Sequence, residues 1–234
     1  MAAAIAATLL RKPARAVLRR EEDFALSGKR ESLRGKYTVG IDADSKIVGF
    51  QLEILGNGGI SPARGTMIKG LMNGALCYGA VPNVRLDLTV VSSNIQSNTA
   101  MRALSVPGVA MICEASFEHA SRKLFPASLA TDLSSRLALR ASSLATPTDR
   151  TPFGQSYGDD CNAGAVWAEL MVQARVDERA AEIVGFNAAN RWKKRGIHAM
   201  PSVFGVTEAM TGGAMVNIYL DGTALVHHGG AIFD

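Results

Sequence analysis

The sequence predicts an α+β fold with hairpin-rich, mixed sheets and packed helices, and three observations carry that prediction. Apolar residues recur every second position near both ends of the chain, within 36–54, 84–92 and 214–228. Apolar residues at helical spacing fill the middle, within 109–144 and 165–190. The two kinds of run are segregated, β-rich then helical then β-rich, rather than alternating one strand with one helix as a doubly wound parallel sheet requires.

Taken in order, the Ala-rich start predicts a helix over Ala2 to Leu10 that stops before Pro13, then a short strand through Ala16, Val17 and Leu18. Residues 34–56 read as a hairpin. Tyr37, Val39 and Ile41 alternate with polar or small residues, Asp44-Ser45 makes the turn, and Phe50, Leu52 and Ile54 return. A weak helix follows from Pro62 to Ala75, a strand over 84–92, and a polar connection over 93–106. Val109, Ile112, Cys113, Ser116, Phe117, Ala120 and Leu124 share one face of a clear amphipathic helix. A second helix is expected over 127–144, a loop or linker over 145–163, and one long helix from Ala165 to Asn190. Strands are expected at Ile197–Val206, Ala214–Leu220 and Ala224–His228, the last two joined by a two-residue turn at Asp221-Gly222. The expected domains are 1–144 and 164–234, on either side of that linker.

Composition narrows the function classes. At 47% hydrophobic and 20% charged residues the chain can bury a core, which excludes a disordered chain. No run approaches the roughly 20 apolar residues of a membrane-spanning helix. The net charge of +4 is local: residues 1–36 hold nine basic and four acidic side chains, whereas the rest sum to −1. A basic nucleic-acid footprint over the whole surface is therefore not expected. The acid-free first 20 residues also read as a transit peptide, an alternative to the helix and strand. Cys77, Cys113 and Cys161 are too far apart for a CxxC or a Cys/His cluster, which points to a reducing, cytoplasmic compartment with peroxisomal or mitochondrial location left open.

Most chemical motifs fail on context. Gly56-Asn57-Gly58-Gly59 lacks the third glycine of a dinucleotide fingerprint. Asp42, Asp44 and Glu53 fall at calcium-loop positions, but Lys46 and Ile47 occupy a ligand and the glycine position. Gly154-Gln155-Ser156-Tyr157-Gly158 matches GxSxG and makes Ser156 a candidate nucleophile, yet Pro152 precedes it where a strand is required. His119, His198 and the pair His227-His228 have no partner in sequence, and Trp192-Lys193-Lys194-Arg195 reads as a basic helix end.

Five segments nevertheless resemble one family. Residues 20–30, REEDFALSGKR, are similar to an R-x-E-D-M-x-I-T-G-x-R stretch, and Gly35 to Gly40, GKYTVG, to a GKYKVGF strand. Ser97 to Arg102, SNTAMR, resembles SNTAFR. Asn190 to Ile197, NRWKKRGI, is found almost unchanged, and YLDGT followed by His228-Gly229-Gly230 resembles YxDGxVLxTHGG. All belong to the molybdopterin-binding region of the molybdenum hydroxylases, the family of xanthine dehydrogenase and aldehyde oxidase, and order and spacing agree from about residue 3 to 230.

The resemblance implies an internal segment of an oxidoreductase that uses molybdenum-molybdopterin, with FAD and 2Fe-2S clusters on other domains, to hydroxylate purines or aldehydes. It implies the remainder of a parent enzyme or other subunits as partners, a homodimeric assembly, and a structural rather than targeting N-terminus. Arg102 and Ala100 match the residues of the family loop that lie beside the cofactor. Leu104 stands where a substrate-stacking phenylalanine is found, and Lys69 near a substrate-binding arginine. Ala103 to Gly108 depart from the family's GFGGPQ, and Glu208-Ala209 stand nearest its Phe-Thr pair without replacing it. The family's EMGQG loop and catalytic glutamate have no counterpart, so the chain is expected to be inactive alone, with no catalytic residue or metal ligand of its own. A non-catalytic binding or assembly module on the same scaffold, and a serine hydrolase using Ser156, stand as alternatives.

Overall fold

Seven helices and five strands are defined in the computed structural model, which describes residues 1–61, 64–75, 78–98, 103–126, 129–203 and 213–229, without the side chains of 64–66, 69, 73 and 129–132. They fall into two units, residues 1–204 and 205–234.

The first unit begins with α1 (Ala2–Leu10), which buries no residue. The strand expected at 16–18 does not form; Val17 and Leu18 are exposed and pair with no strand among the described residues. Instead α2 (Arg20–Leu26) starts there. Its first turn holds Glu21, Glu22 and Asp23, negative charge where the helix dipole favours it, and Glu22 accepts from the backbone N–H of Arg19 at 2.9 Å.

The sheet is built from β1 (Leu33–Ile41), β2 (Ile47–Asn57) and β3 (Asn83–Val91), in that order. β1 and β2 form the expected antiparallel hairpin. Its turn is closed by Asp42 Oδ1, which accepts from the N–H groups of Asp44 and Lys46, so the calcium-loop carboxylate is spent on backbone. β3 pairs parallel to β2, reached through α3 (Arg64–Ala75). On β2, Phe50, Leu52 and Ile54 are buried at every second position. They pack with Leu71 of α3 and with Val109, Cys113 and Phe117 of α4 (Val106–Leu124). At 25 cal/mol per Å² of apolar surface, each such side chain contributes on the order of 2 kcal/mol.

Behind this layer, α5 (Leu129–Ala141), α6 (Ala163–Gln173) and α7 (Val176–Ala189) form a second cluster around Leu133, Leu137, Leu144, Trp167 and Val176. The single helix expected over 165–190 is two. The chain breaks at Arg175, whose φ is +47°, and α7 restarts with Asp177 and Glu178 in its first turn. The break buries Val176, which is out of phase with the Trp167, Leu170, Met171, Ala174 stripe. Of the strand expected at Ile197–Val206, residues 204–206 lie outside the described residues, and 197–203 form no strand, since among the described residues no neighbouring strand offers them a ladder. Ile197 and Ala199 instead pack as an irregular strap against the second cluster.

In the second unit, β4 (Ala214–Ile218) pairs antiparallel with β5 (Ala224–His228). The turn is longer than the two residues expected. Tyr219 N–H donates to Thr223 O at 2.9 Å and Gly222 N–H to Tyr219 O at 3.0 Å, which closes a three-residue loop with Gly222 at φ +83°. His227 and His228 are both exposed. Among the described residues no helix is long and apolar enough to cross a membrane.

Candidate functional site

Two arrangements of side chains hold the chemistry of the first unit. One surrounds the polar connection 93–105. Asn57, at the end of β2, accepts at Oδ1 from Gly59 N–H (2.9 Å) and Ser93 Oγ (2.7 Å). Ser97 Oγ accepts from Ser61 N–H at 3.0 Å, and Gln96 donates to Leu26 O at 3.0 Å. The connection is thus sewn to the 57–61 loop and to the end of α2 just before Ala100 and Arg102, both of which lie outside the described residues.

The chain resumes at Ala103 and Ser105, with φ +58° and +57°. Non-glycine residues rarely adopt this left-handed conformation, which costs about 1–2 kcal/mol each. Ser105 is 1% exposed and its hydroxyl has no hydrogen-bond partner among the described residues. α3 crosses this loop and the start of α4 through its own glycines. A Cβ on Gly70 would stand 2.3 Å from Ser105 Cβ, and one on Gly74 2.7 Å from Val109 Cβ. The helix carrying Lys69 therefore lies directly against the Leu104-Ser105 turn. Leu104 is half-buried, and its carbonyl accepts from Val106 N–H.

The other arrangement is a buried polar cluster. Glu114 of α4 accepts from Tyr78 OH at 2.5 Å, from Arg140 Nε at 2.7 Å and from Arg140 Nη2. His198 Nε2 lies 2.9 Å from Glu114 Oε1. Arg140 Nη2 also reaches Glu118 Oε2 at 2.9 Å, and Glu118 Oε1 takes Arg122 Nε at 2.8 Å. Burial raises the pKa of Glu114, but the hydrogen bonds from His198, Arg140 and Tyr78 outweigh it and hold the carboxyl below its ordinary range. Glu118 is pulled down to about 2, its burial likewise outweighed by Arg122 and Arg140. Glu114, Glu118 and His198 bring ligand-type atoms within 4.8 Å of one another. The Arg140 guanidinium bonds both carboxylates, so the cation of this cluster is internal.

Other candidates take structural roles. Ser156 is exposed and sits in a small loop, bridged to Arg150, with α6 starting seven residues later at Ala163. The strand–turn–helix of a nucleophile elbow is absent. His119 packs edge-on against Tyr37, with Nδ1 3.2 Å from the phenol oxygen. The basic run after α7 folds back on it, Arg195 over the Phe186 ring at 4.0 Å and Asn187 Nδ2 donating to Arg195 O. The cluster of Tyr78, Glu114, Arg140 and His198 was not anticipated from sequence. Its one local signal is an acidic residue on the apolar side of the 106–124 helix.

Comparison with known proteins places this geometry in context. The family model described as molybdopterin cofactor-binding domain matches residues 1–128, and a second model of the same description matches residues 169–232. Xanthine dehydrogenase of Oryza sativa subsp. japonica is 35% identical over 236 residues, which is 98% of this chain and 16% of that protein. Nicotinate hydroxylase of Emericella nidulans is 31% identical over 97% of this chain and 17% of its own length. The chain thus spans about one sixth of the length of these relatives. Among solved structures, a Cu,Mo-CO dehydrogenase superposes with a TM-score of 0.66 at 18% identity, covering 99% of this chain and 31% of that one. That likeness is one of fold.

Proposed function

The chain belongs to the molybdopterin cofactor-binding domain family, and from that premise we propose that it is a segment of a molybdenum hydroxylase contributing the 97–106 loop to the surroundings of the cofactor. The single observation that supports this reading is the match of the two family models across 1–128 and 169–232. In this reading the whole enzyme oxidatively hydroxylates purines or aldehydes in the cytoplasm. FAD and 2Fe-2S clusters sit on other domains, the assembly is a homodimer, and this chain's partners are the remainder of the parent enzyme or other subunits. Residues 1–144 and 164–234 would belong to two successive subdomains joined by 145–163.

Within that loop we assign Arg102 and Ala100 to the cofactor side, and Leu104 and Lys69 to the substrate side. The left-handed backbone at Ala103 and Ser105, where the family motif has glycine, is consistent with retention of the loop's path. The side chains added there do not favour a cofactor. Ser105 offers one buried hydroxyl wedged against Gly70, Val106 N–H is already bonded to Ala103 O and Leu104 O, and Pro107 has no N–H. The described residues therefore do not by themselves fit molybdopterin, and residues 1–234 alone are proposed to lack hydroxylase activity. Purifying the 234-residue chain from a host that makes the cofactor, then measuring molybdenum and xanthine or aldehyde oxidation, tests this. A folded, metal-free, inactive chain is expected; stoichiometric molybdenum or turnover overturns the reading.

A second reading, a binding or assembly module on the same scaffold, is favoured by the β4–β5 hairpin. Val216, Ile218 and Val226 lie on one of its faces and all three are exposed. Recovery of the folded chain in a stoichiometric complex with a polypeptide unrelated to the hydroxylase supports that reading; a chain that stays monomeric at high concentration and in lysate speaks against it.

A further inference from the structure

Beside the buried cluster lies a cavity of about 320 Å³, walled by α5, α6, the start of α7 and the 197–200 strap. Leu133, Leu137, Met171, Val176 and Ile197 line it, and His198 is a polar group at its wall. Cavities of this size with apolar walls and one or two placed polar atoms are the usual form of a small-molecule site.

The orientation of His198 is decided from behind. Its Nε2 faces Glu114 Oε1 at 2.9 Å, and that carboxylate also receives Tyr78 and Arg140. An ionised carboxylate only accepts, so Nε2 must carry the hydrogen. When the ring is neutral it therefore presents Nδ1 as an acceptor, and no described residue bonds that atom. Glu114 thus holds one tautomer in place, as carboxylates do for imidazoles elsewhere. The imidazole is half-exposed, at 44%, so a ligand can reach it. Arg179 lines the same cavity and is exposed, which disfavours a cationic guest.

From this combination we infer that the cavity binds a small, neutral, apolar ring carrying one O–H or N–H donor, phenol-like in chemistry, with its donor on Nδ1 of His198. The leucines, Met171 and Val176 take the ring by burial. His198 supplies the polar contact, and Glu114 is the positioning residue behind it.

The test uses the 234-residue chain with p-cresol and toluene, which share the methyl-substituted ring and differ in the hydroxyl. Titration followed by NMR should show that His198→Phe weakens p-cresol binding about three- to tenfold, the worth of one hydrogen bond, and leaves toluene within twofold. A parallel measurement needs only the wild-type fold. The ring ¹⁵N resonances of His198, identified by their loss in His198→Gln, should move at Nδ1 on adding p-cresol and stay in place with toluene. Failure of the wild-type chain to bind p-cresol overturns the inference. Equal weakening of both ligands in His198→Phe, or an unmoved Nδ1, overturns it as well, because His198 would then only shape the wall.

Discussion

Arg140 donates to Glu114 from a position 1% exposed to water, Nε to Oε1 at 2.7 Å, and joins two helices whose contacting residues are 26 apart in sequence. Glu114 receives Tyr78 from the turn before β3 and His198 from the strap on the same carboxylate. One buried ion pair therefore ties the sheet layer, the helical layer and the irregular 197–203 segment together.

Removing the cation should be severe. Arg140→Met leaves the buried Glu114 and the partly buried Glu118 without their shared partner, and a loss of about 3–5 kcal/mol is expected from urea unfolding. Arg140→Lys keeps the charge but cannot serve two carboxylates through a planar fork, so it should fall between wild type and Arg140→Met.

Acid should unfold the chain through the same carboxylates. Both folded pKa values lie below the ordinary 4.5, so their stabilisation is complete above that value and is lost as pH falls through the folded one, about 2 for Glu118. Urea midpoints should decline from about pH 5 downward, and Glu118→Gln should flatten that decline while lowering stability at neutral pH. An unchanged slope in the variant would contradict the assignment.

Relief of backbone strain is expected in the loop. Ala103→Gly and Ser105→Gly each remove a side chain from a left-handed position, against the greater freedom glycine has when unfolded, and a net gain of about 0.5–1 kcal/mol is expected. Ser105→Gly also removes a buried hydroxyl without a partner among the described residues, so it should gain the more of the two. Denaturant titration of the two variants checks both sign and order.

The crossing of α3 over this loop gives a coupled prediction. Gly70→Ala places a Cβ 2.3 Å from Ser105 Cβ and should cost about 1–3 kcal/mol. In the double variant with Ser105→Gly part of that cost should disappear, leaving the backbone contacts at 2.8 Å with Leu104 O and 2.9 Å with the carbonyl carbon of residue 105. A double-mutant cycle measures the coupling, and strict additivity would show that the two residues do not meet.

The loop around Ser156 predicts against the hydrolase alternative. A fluorophosphonate probe should leave Ser156 unlabelled, because an exposed loop serine with no elbow around it has nothing to activate its hydroxyl. Mass spectrometry of the 154–158 peptide reads the outcome.

Much of this was legible in sequence wherever the information is local. Phe50, Leu52 and Ile54 alternate in the string and are buried on one face of β2, and Val109, Cys113 and Phe117 share a stripe that meets them. The misread segments are those where a non-local term decides. Ala16 to Leu18 has strand composition but, among the described residues, no strand to pair with. The 165–190 run kept a helical period in its first half, while Val176 gained more by being buried after a break at Arg175. The Asp221-Gly222 signal correctly marked a turn, but the Tyr219–Thr223 hydrogen bond lengthened its loop to three residues.

The sequence by itself determined the α+β class, most element positions and membership of a molybdopterin cofactor-binding family, because periodicity and motif strings are properties of neighbours along the chain. Tertiary structure alone decided the parallel pairing of β2 with β3 and the left-handed backbone at Ala103 and Ser105. It alone brought Tyr78, Glu114, Arg140 and His198 to one carboxylate, across separations of up to 84 residues. Those contacts depend on which faces the packed layers press together, and no window of sequence contains both partners.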